Sequence, residues 1–412
     1  MKRTPRMLRN RTLLAVSFTV AAAYTGIGMV GVVRVLFARQ EGATLAIIGA
    51  MASAYLVANF VAQYPASWLA DRWGRRRMMV LGLIAQAALS IAYIYVSDPL
   101  LFVVLRCGEG LAAAPLLPAA RALIADAVPD GQRGRAYGFF GAAFNFGFLA
   151  GPAVGGLLAS TGYASAFWAA ALCRVAALVI VVLYIPGTVA HASPATADGR
   201  AAVAPRSGYW RLPLVGAYIL AIGDYLYLGF DLALMPLWMH DHLGASVAVI
   251  GLAYVAWAIP SVILTPLGGR FADRGRRSRL ILIFGLAQVP IYVVYGLVTT
   301  AWPVVALFAL HAVLYACIQP AVDAHVAAAS PVAARARVQG LYTTFGLVGA
   351  FVGANLLTPL YTRDFRLPLF ALGAGYGLCV VVGGLLVGRA ERQGLVAVPT
   401  ATPQPVGAAP GR

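Results

Sequence analysis

The chain has 412 residues, of which 61% are hydrophobic and 11% charged, and its formal charge is +17. A soluble domain carries roughly a quarter charged residues, so this chain has too little polar surface to be covered by water. Lys2 is its single lysine, which excludes a Walker phosphate loop and Schiff-base chemistry and leaves an ion gradient or a separate subunit to drive uphill work.

Hydropathy divides the sequence into twelve apolar spans, each long enough to cross ~30 Å of hydrocarbon. The expected all-α membrane fold has spans over 12–37, 45–69, 78–97, 99–125, 136–159 and 163–185, then 211–239, 247–271, 280–299, 301–328, 338–361 and 367–388. Span 1 follows a basic start but is too long for a secretory signal, and it has a counterpart in the second half. Arginines gather in the connections on the side that carries both termini. The other side holds only Arg39, Arg363 and Arg366. This bias predicts an inner (plasma) membrane protein with both termini in the cytoplasm. The basic excess is then a topology signal and an attraction to the lipid bilayer, not to nucleic acid.

Residues 1–11 are expected as a cytoplasmic start, 186–210 as an Ala/Pro/Ser-rich linker between the six-span bundles 12–185 and 211–388, and 389–412 as a disordered tail. The halves match at an offset of about 202 residues: Asp71 with Asp273, Pro118 with Pro320, Arg133 with Arg335, Gly147 with Gly349 and Gly151 with Gly353. Parallel repeats about an axis along the membrane normal belong to alternating-access carriers, with substrate near the midplane between the halves. Cys107, Cys173, Cys317 and Cys379 lie in apolar segments, where they are expected as small buried hydrophobes. Their spacing, and that of His240 to His242, gives no metal centre, and no cofactor is implied.

Several local patterns carry chemistry. The connection after span 2 reads SWLADRWGRRRMM, with Asp71, Arg72, Gly74 and Arg75, and that after span 8 reads GGRFADRGRRSRL, with Asp273, Arg274 and Gly275. Each glycine allows a tight turn that sets an acid and a basic cluster at a helix end. Asp126 ends span 4 nearby. Span 4 also holds Arg106 and Glu109 within LRCGEGLAAAP, three apart on one face, and an intramembrane ion pair is costly enough to mark function. Span 5 contains GFLAGPAVGG, where Gly147, Gly151 and Gly155 form one smooth stripe beside Pro152, open to close approach by another backbone.

Span 7 bears Asp224 and Asp231, with Tyr227 on the same face. A carboxyl away from water is cheaper to keep neutral than charged, which makes it the simplest proton carrier. The competing reading is a fixed ion pair with Arg34, Arg106 or Arg174. The cavity set is completed by Tyr24, Asn145, Trp257, His311 and Asp323.

The connection motifs resemble the GxxxDRxGRR signature of the major facilitator superfamily, and the span 4 and span 5 motifs are similar to its RxxxG and exporter-type GxxxGPxxGG patterns. Ser67 replaces the usual first glycine, the second copy is one residue short, and Ala354 replaces the proline in span 11. The resemblance implies two six-helix bundles, a cavity lined by spans 1, 4, 7 and 10, and drug:proton antiport by a monomer that uses neither nucleotide nor catalysis. It also implies that Asp71 and Asp273 latch the outward-facing state against the starts of spans 11 and 5. A metabolite carrier on the same fold is the alternative, and a non-transporting sensor a distant third.

Overall fold

In a computed structural model of the chain, residues 10–128, 133–187, 211–272, 276–330 and 335–396 are described, without the side chains of residues 67, 71, 125, 133–135, 138 and 335–337. The expected linker over 188–210, the start over 1–9 and the tail over 397–412 lie outside them, as do Asp273, Arg274 and Gly275.

Twelve described helices are long and apolar enough to cross a membrane. Local chemistry fixes their ends. Asn10 caps span 1 by accepting from the Leu13 amide at 3.1 Å, and its side-chain amide donates to the Ala127 carbonyl at 2.8 Å. Asp98 caps span 4 ahead of Pro99, whose missing N–H costs nothing in a first turn. Gly74 takes φ 95° between spans 2 and 3, a conformation that a side chain would strain, which is why the connection motif needs glycine there.

Three spans are broken where the sequence reading had continuous helix. Span 4 is Pro99–Ala113 followed by Leu116–Ala127, span 7 is Leu212–Ala233 followed by Met235–Asp241, and span 11 is Arg335–Asn355 followed by Thr358–Arg363. Pro115, Pro236 and Pro359 sit at the breaks, each withholding an N–H and crowding the preceding turn. The last helix, Leu367–Arg392, outlasts its expected end. Its Glu391 is buried and accepts from the Ser278 hydroxyl at 2.5 Å and the Ser278 amide at 3.2 Å, so this part of the expected tail is packed structure.

Within each half the glycine stripes do what smoothness allows. Gly147, Gly151 and Gly155 of span 5 lie on the backbone of span 1 at Ala21, Thr25, Gly28 and Met29. In the second half Gly349 and Gly353 of span 11 lie on span 7 at Ile222 and Leu226. Contacts between the halves obey the same repeat. A Cβ on Gly251 would lie 2.6 Å from the Pro152 carbonyl oxygen and 3.3 Å from Gly156 Cα, while one on Gly49 would lie 3.0 Å from the Ala354 oxygen and 3.6 Å from Thr358 Oγ1. These residue pairs are related by the repeat offset, so the two-fold seen in sequence is a two-fold in packing. The Asn355 amide also donates to Ser53 Oγ at 2.5 Å.

The contacts between the halves lie at the end of the bundle remote from the chain termini. Towards the termini, Tyr64 is 82% exposed, and Trp68, Phe271, Asn145 and Asp323 are exposed as well. The halves are therefore closed at the far end and open on the side of the termini.

Candidate functional site

The polar residues at membrane depth form two groups, one in each half, with opposite charge character. In the first half, Glu109 accepts from Arg106 Nη1 at 3.0 Å and from Arg34 Nη2 at 3.1 Å. Tyr93 from span 3 donates to its Oε2 at 3.4 Å. Arg106 also donates to the Met51 carbonyl at 3.3 Å and lies over the Tyr55 ring, 4.3 Å from its centroid. Arg174 from span 6 donates to Gln86 Oε1 at 3.5 Å.

The sequence reading paired Arg106 with Glu109 and gave Arg34 to the cavity. The structure places Arg34 in the same buried knot, with Glu109 only 4% exposed. The physical reason is charge neutrality: one carboxylate amid apolar helices draws the cations that can reach it. Arg174, otherwise without a role in its outer span, belongs to this knot. So do Gln86 and Tyr93, which sequence reasoning missed.

In the second half the acids have no such partners. Among the described residues, no ion pair joins Asp224, Asp231 or Asp323 to a base. The alternative in which Arg34, Arg106 or Arg174 holds the span 7 acids is therefore overturned, because those arginines are turned into the first half. Asp231 accepts from the Tyr254 hydroxyl at 2.9 Å and Asp323 from the Gln319 amide at 3.1 Å. Asp224 is half-buried, with Tyr225, Tyr292, Tyr315 and Tyr342 within electrostatic range.

Around these acids the wall is aromatic. Tyr227 meets His311 edge-on at 4.9 Å between centroids, and Trp257 meets Tyr315 at 5.6 Å. His311 is buried and bound through Nε2 to Gln288 Oε1 at 3.0 Å. In the first half Tyr24 packs on Phe144 at 4.4 Å, with Asn145 exposed beside it. Arg121, absent from the sequence-derived set, is exposed and within electrostatic range of Tyr24.

The repeat offset could have found much of what was missed. It relates Gln86 to Gln288, Tyr93 to Tyr295, Glu109 to His311 and Arg174 to Tyr376. Both halves thus use the same positions for an interior polar knot, charged in the first and neutral in the second.

At the motifs, Arg75 forms an ion pair with Asp126, Arg76 donates to the Val182 carbonyl at 2.5 Å, and Arg72 lies 4.3 Å over Trp68. This basic run ties the start of span 3 to spans 4 and 6, within one half. The Asp71 side chain is not among those described. Cys107 is exposed on the helix surface and the other cysteines are half-buried, so the expectation of four buried thiols fails: a small apolar residue is as much at home against lipid as inside. His242 stacks on Phe365 at 4.2 Å, and His240 Nδ1 lies 3.1 Å from the Ala245 carbonyl oxygen.

The model of the Major Facilitator Superfamily matches residues 16–234 and 225–408. The quinolone resistance protein NorA of Staphylococcus aureus (strain MSSA476) is 22% identical over 90% of this chain and 96% of its own. The uncharacterized MFS-type transporter MJ1560 of Methanocaldococcus jannaschii is 30% identical over 36% of this chain, and that match spans 39% of its length. Among solved structures, the D-xylose-proton symporter has a TM-score of 0.74 at 16% identity, covering 96% of this chain and 99% of that one. A bacterial homologue of the human lysosomal transporter Spinster, inward-facing and occupied, has a TM-score of 0.73 at 16% identity, covering 96% of this chain and 100% of that one.

Proposed function

Because the chain belongs to the Major Facilitator Superfamily and is a multi-pass membrane transporter, we propose that it exports small amphipathic compounds, organic cations foremost, in exchange for protons. The observation that carries this reading is the imbalance of the second half, where among the described residues Asp224, Asp231 and Asp323 form no ion pair and Asp231 and Asp323 accept only from the neutral Tyr254 and Gln319. An unpaired carboxylate at membrane depth is costly as an anion, and a proton or an organic cation relieves that cost equally well. Tyrosine and tryptophan faces beside it add cation–π attraction of about 0.5–2 kcal/mol. Two ligands that satisfy one acid exclude each other, which gives exchange without long-range coupling.

The similarity to the quinolone resistance protein NorA and the GPxxGG-type stripe at Gly151 to Gly156 favour export over import. The arginine bias supports a reading in which the termini lie in the cytoplasm of an inner-membrane protein, and on that reading the side bearing the termini is the cytoplasmic one. Transport proceeds in a monomer, without nucleotide.

Purified protein in liposomes, given an imposed pH gradient, tests the reading. Loading an organic cation on the alkaline side, opposite the protons, should discharge the gradient in step with cation movement. Cation flux that leaves the gradient untouched removes proton exchange from the account.

The latch implied by the connection motif gives a separate expectation. Asp71→Asn should abolish transport while the yield of folded protein holds, because a substitution at a helix end costs little stability and here acts on the balance between the two states. Wild-type flux in that variant, measured at equal protein, would contradict it.

A further inference from the structure

We propose that Arg121 and Asp323 form an ion pair across the two halves when the side of the bundle bearing the termini closes. The inference rests on the transporter reading above.

The two residues stand at the repeat offset of about 202, on span 4 and span 10. Residues related by a two-fold axis lie at equal depth and at equal distance from that axis. The far end already obeys this rule: Gly251 on Pro152 and Gly156 repeats as Gly49 on Ala354 and Thr358. Equivalent residues stand at one depth on opposite walls of the axis, so closure of the termini side about that axis brings Arg121 and Asp323 towards each other. Here the equivalent pair has opposite charge, where strict repetition would give two like charges in repulsion.

Both side chains are free for this encounter. Each is exposed on the open side, and among the described residues neither takes part in an ion pair. Asp323 accepts only the Gln319 amide, a neutral contact within its own helix. Among the described bases of the first half, Arg75 holds Asp126, and Arg34 and Arg106 hold Glu109. The guanidinium of Arg121 is thus a cation outside any ion pair among the described residues, on the helix that the repeat relates to that of Asp323.

The pair divides labour among the acids. Once Arg121 neutralises Asp323, neither a proton nor a cation is needed there for the closed state. The transported charge is then left to Asp224 and Asp231, deeper along span 7. Arg121 is in this sense a positioning residue: it selects the closed state and also discourages cations from resting in the vestibule.

The test combines charge exchange with crosslinking. Arg121→Asp and Asp323→Arg are each expected to lower transport at least about tenfold, through like charges facing each other on closure, and the double exchange to restore it to within about threefold. In full-length protein with Cys107, Cys173, Cys317 and Cys379 replaced by alanine, Arg121→Cys and Asp323→Cys should be joined by a short bismaleimide in liposomes at rates that rise with substrate turnover. No restoration by the double exchange, together with no crosslink in actively transporting protein, overturns the pair. If the wild type itself moves no tested compound, crosslinking still reads closure directly, so failure of the export reading is distinguished from failure of this one.

Discussion

Glu109→Gln is expected to lose much of the folded protein. The substitution leaves Arg34 and Arg106, 3.1 Å and 3.0 Å from the carboxylate they now share, as two uncompensated cations inside the first bundle. Removing one partner from a buried ion pair costs about 3–5 kcal/mol, a large part of a total stability of about 5–15 kcal/mol. A thermal melt in detergent should show a clear fall in Tm. Adding Arg34→Met should return part of it, because a guanidinium without a carboxylate is worse than an apolar side chain of similar length. A Glu109→Gln protein as stable as the wild type would mean that the knot is wetter or looser than its geometry. With Arg34, Arg106 and Tyr93 all donating to it, Glu109 has the contacts of a fixed counter-ion.

Asp224→Asn is expected to do the opposite: leave the fold intact and stop proton-driven transport. No hydrogen bond ties Asp224 to the described residues, and it stands half-buried in the aromatic wall, so an isosteric amide disturbs no packing. It removes a group that can bind either a proton or a cation. Export driven by a pH gradient should fall to background, and Tm should move little. Asp231→Asn should retain part of the activity, since an amide oxygen can still accept from Tyr254. Full pH-gradient dependence in Asp224→Asn would send the proton path elsewhere.

The twelve spans and their symmetry were legible because they rest on run length and repetition, which a single sequence displays. The span 5 stripe was legible for a like reason: Gly147, Gly151 and Gly155 have no use at that spacing except close packing, and span 1 fills the space. The partners of Glu109 were not legible. Arg34 is 75 residues away in sequence and looked the same as any cavity arginine until spans 1 and 4 were packed together. Nor does hydropathy separate the lipid-facing Cys107 from a buried one. Arg121 was overlooked because it lies inside span 4, where an apolar run absorbs a single arginine without breaking. Its relation to Asp323 by the repeat offset emerges only when the repeat is applied to charge as well as to glycine and proline.

The central claim is that protons and an organic cation compete for the same carboxylates in the second half. It is tested most directly by titrating a lipophilic cation into purified protein, followed by tryptophan fluorescence, between about pH 5.5 and pH 8.5. Trp257 lies beside Tyr315 in that wall and reports on occupancy. Affinity should fall steadily as pH falls, by up to about tenfold per pH unit for one-for-one exchange at a single acid, and Asp224→Asn should flatten the dependence. Cation affinity that is flat with pH in the wild type, or tighter binding of organic anions of similar size, would contradict the account.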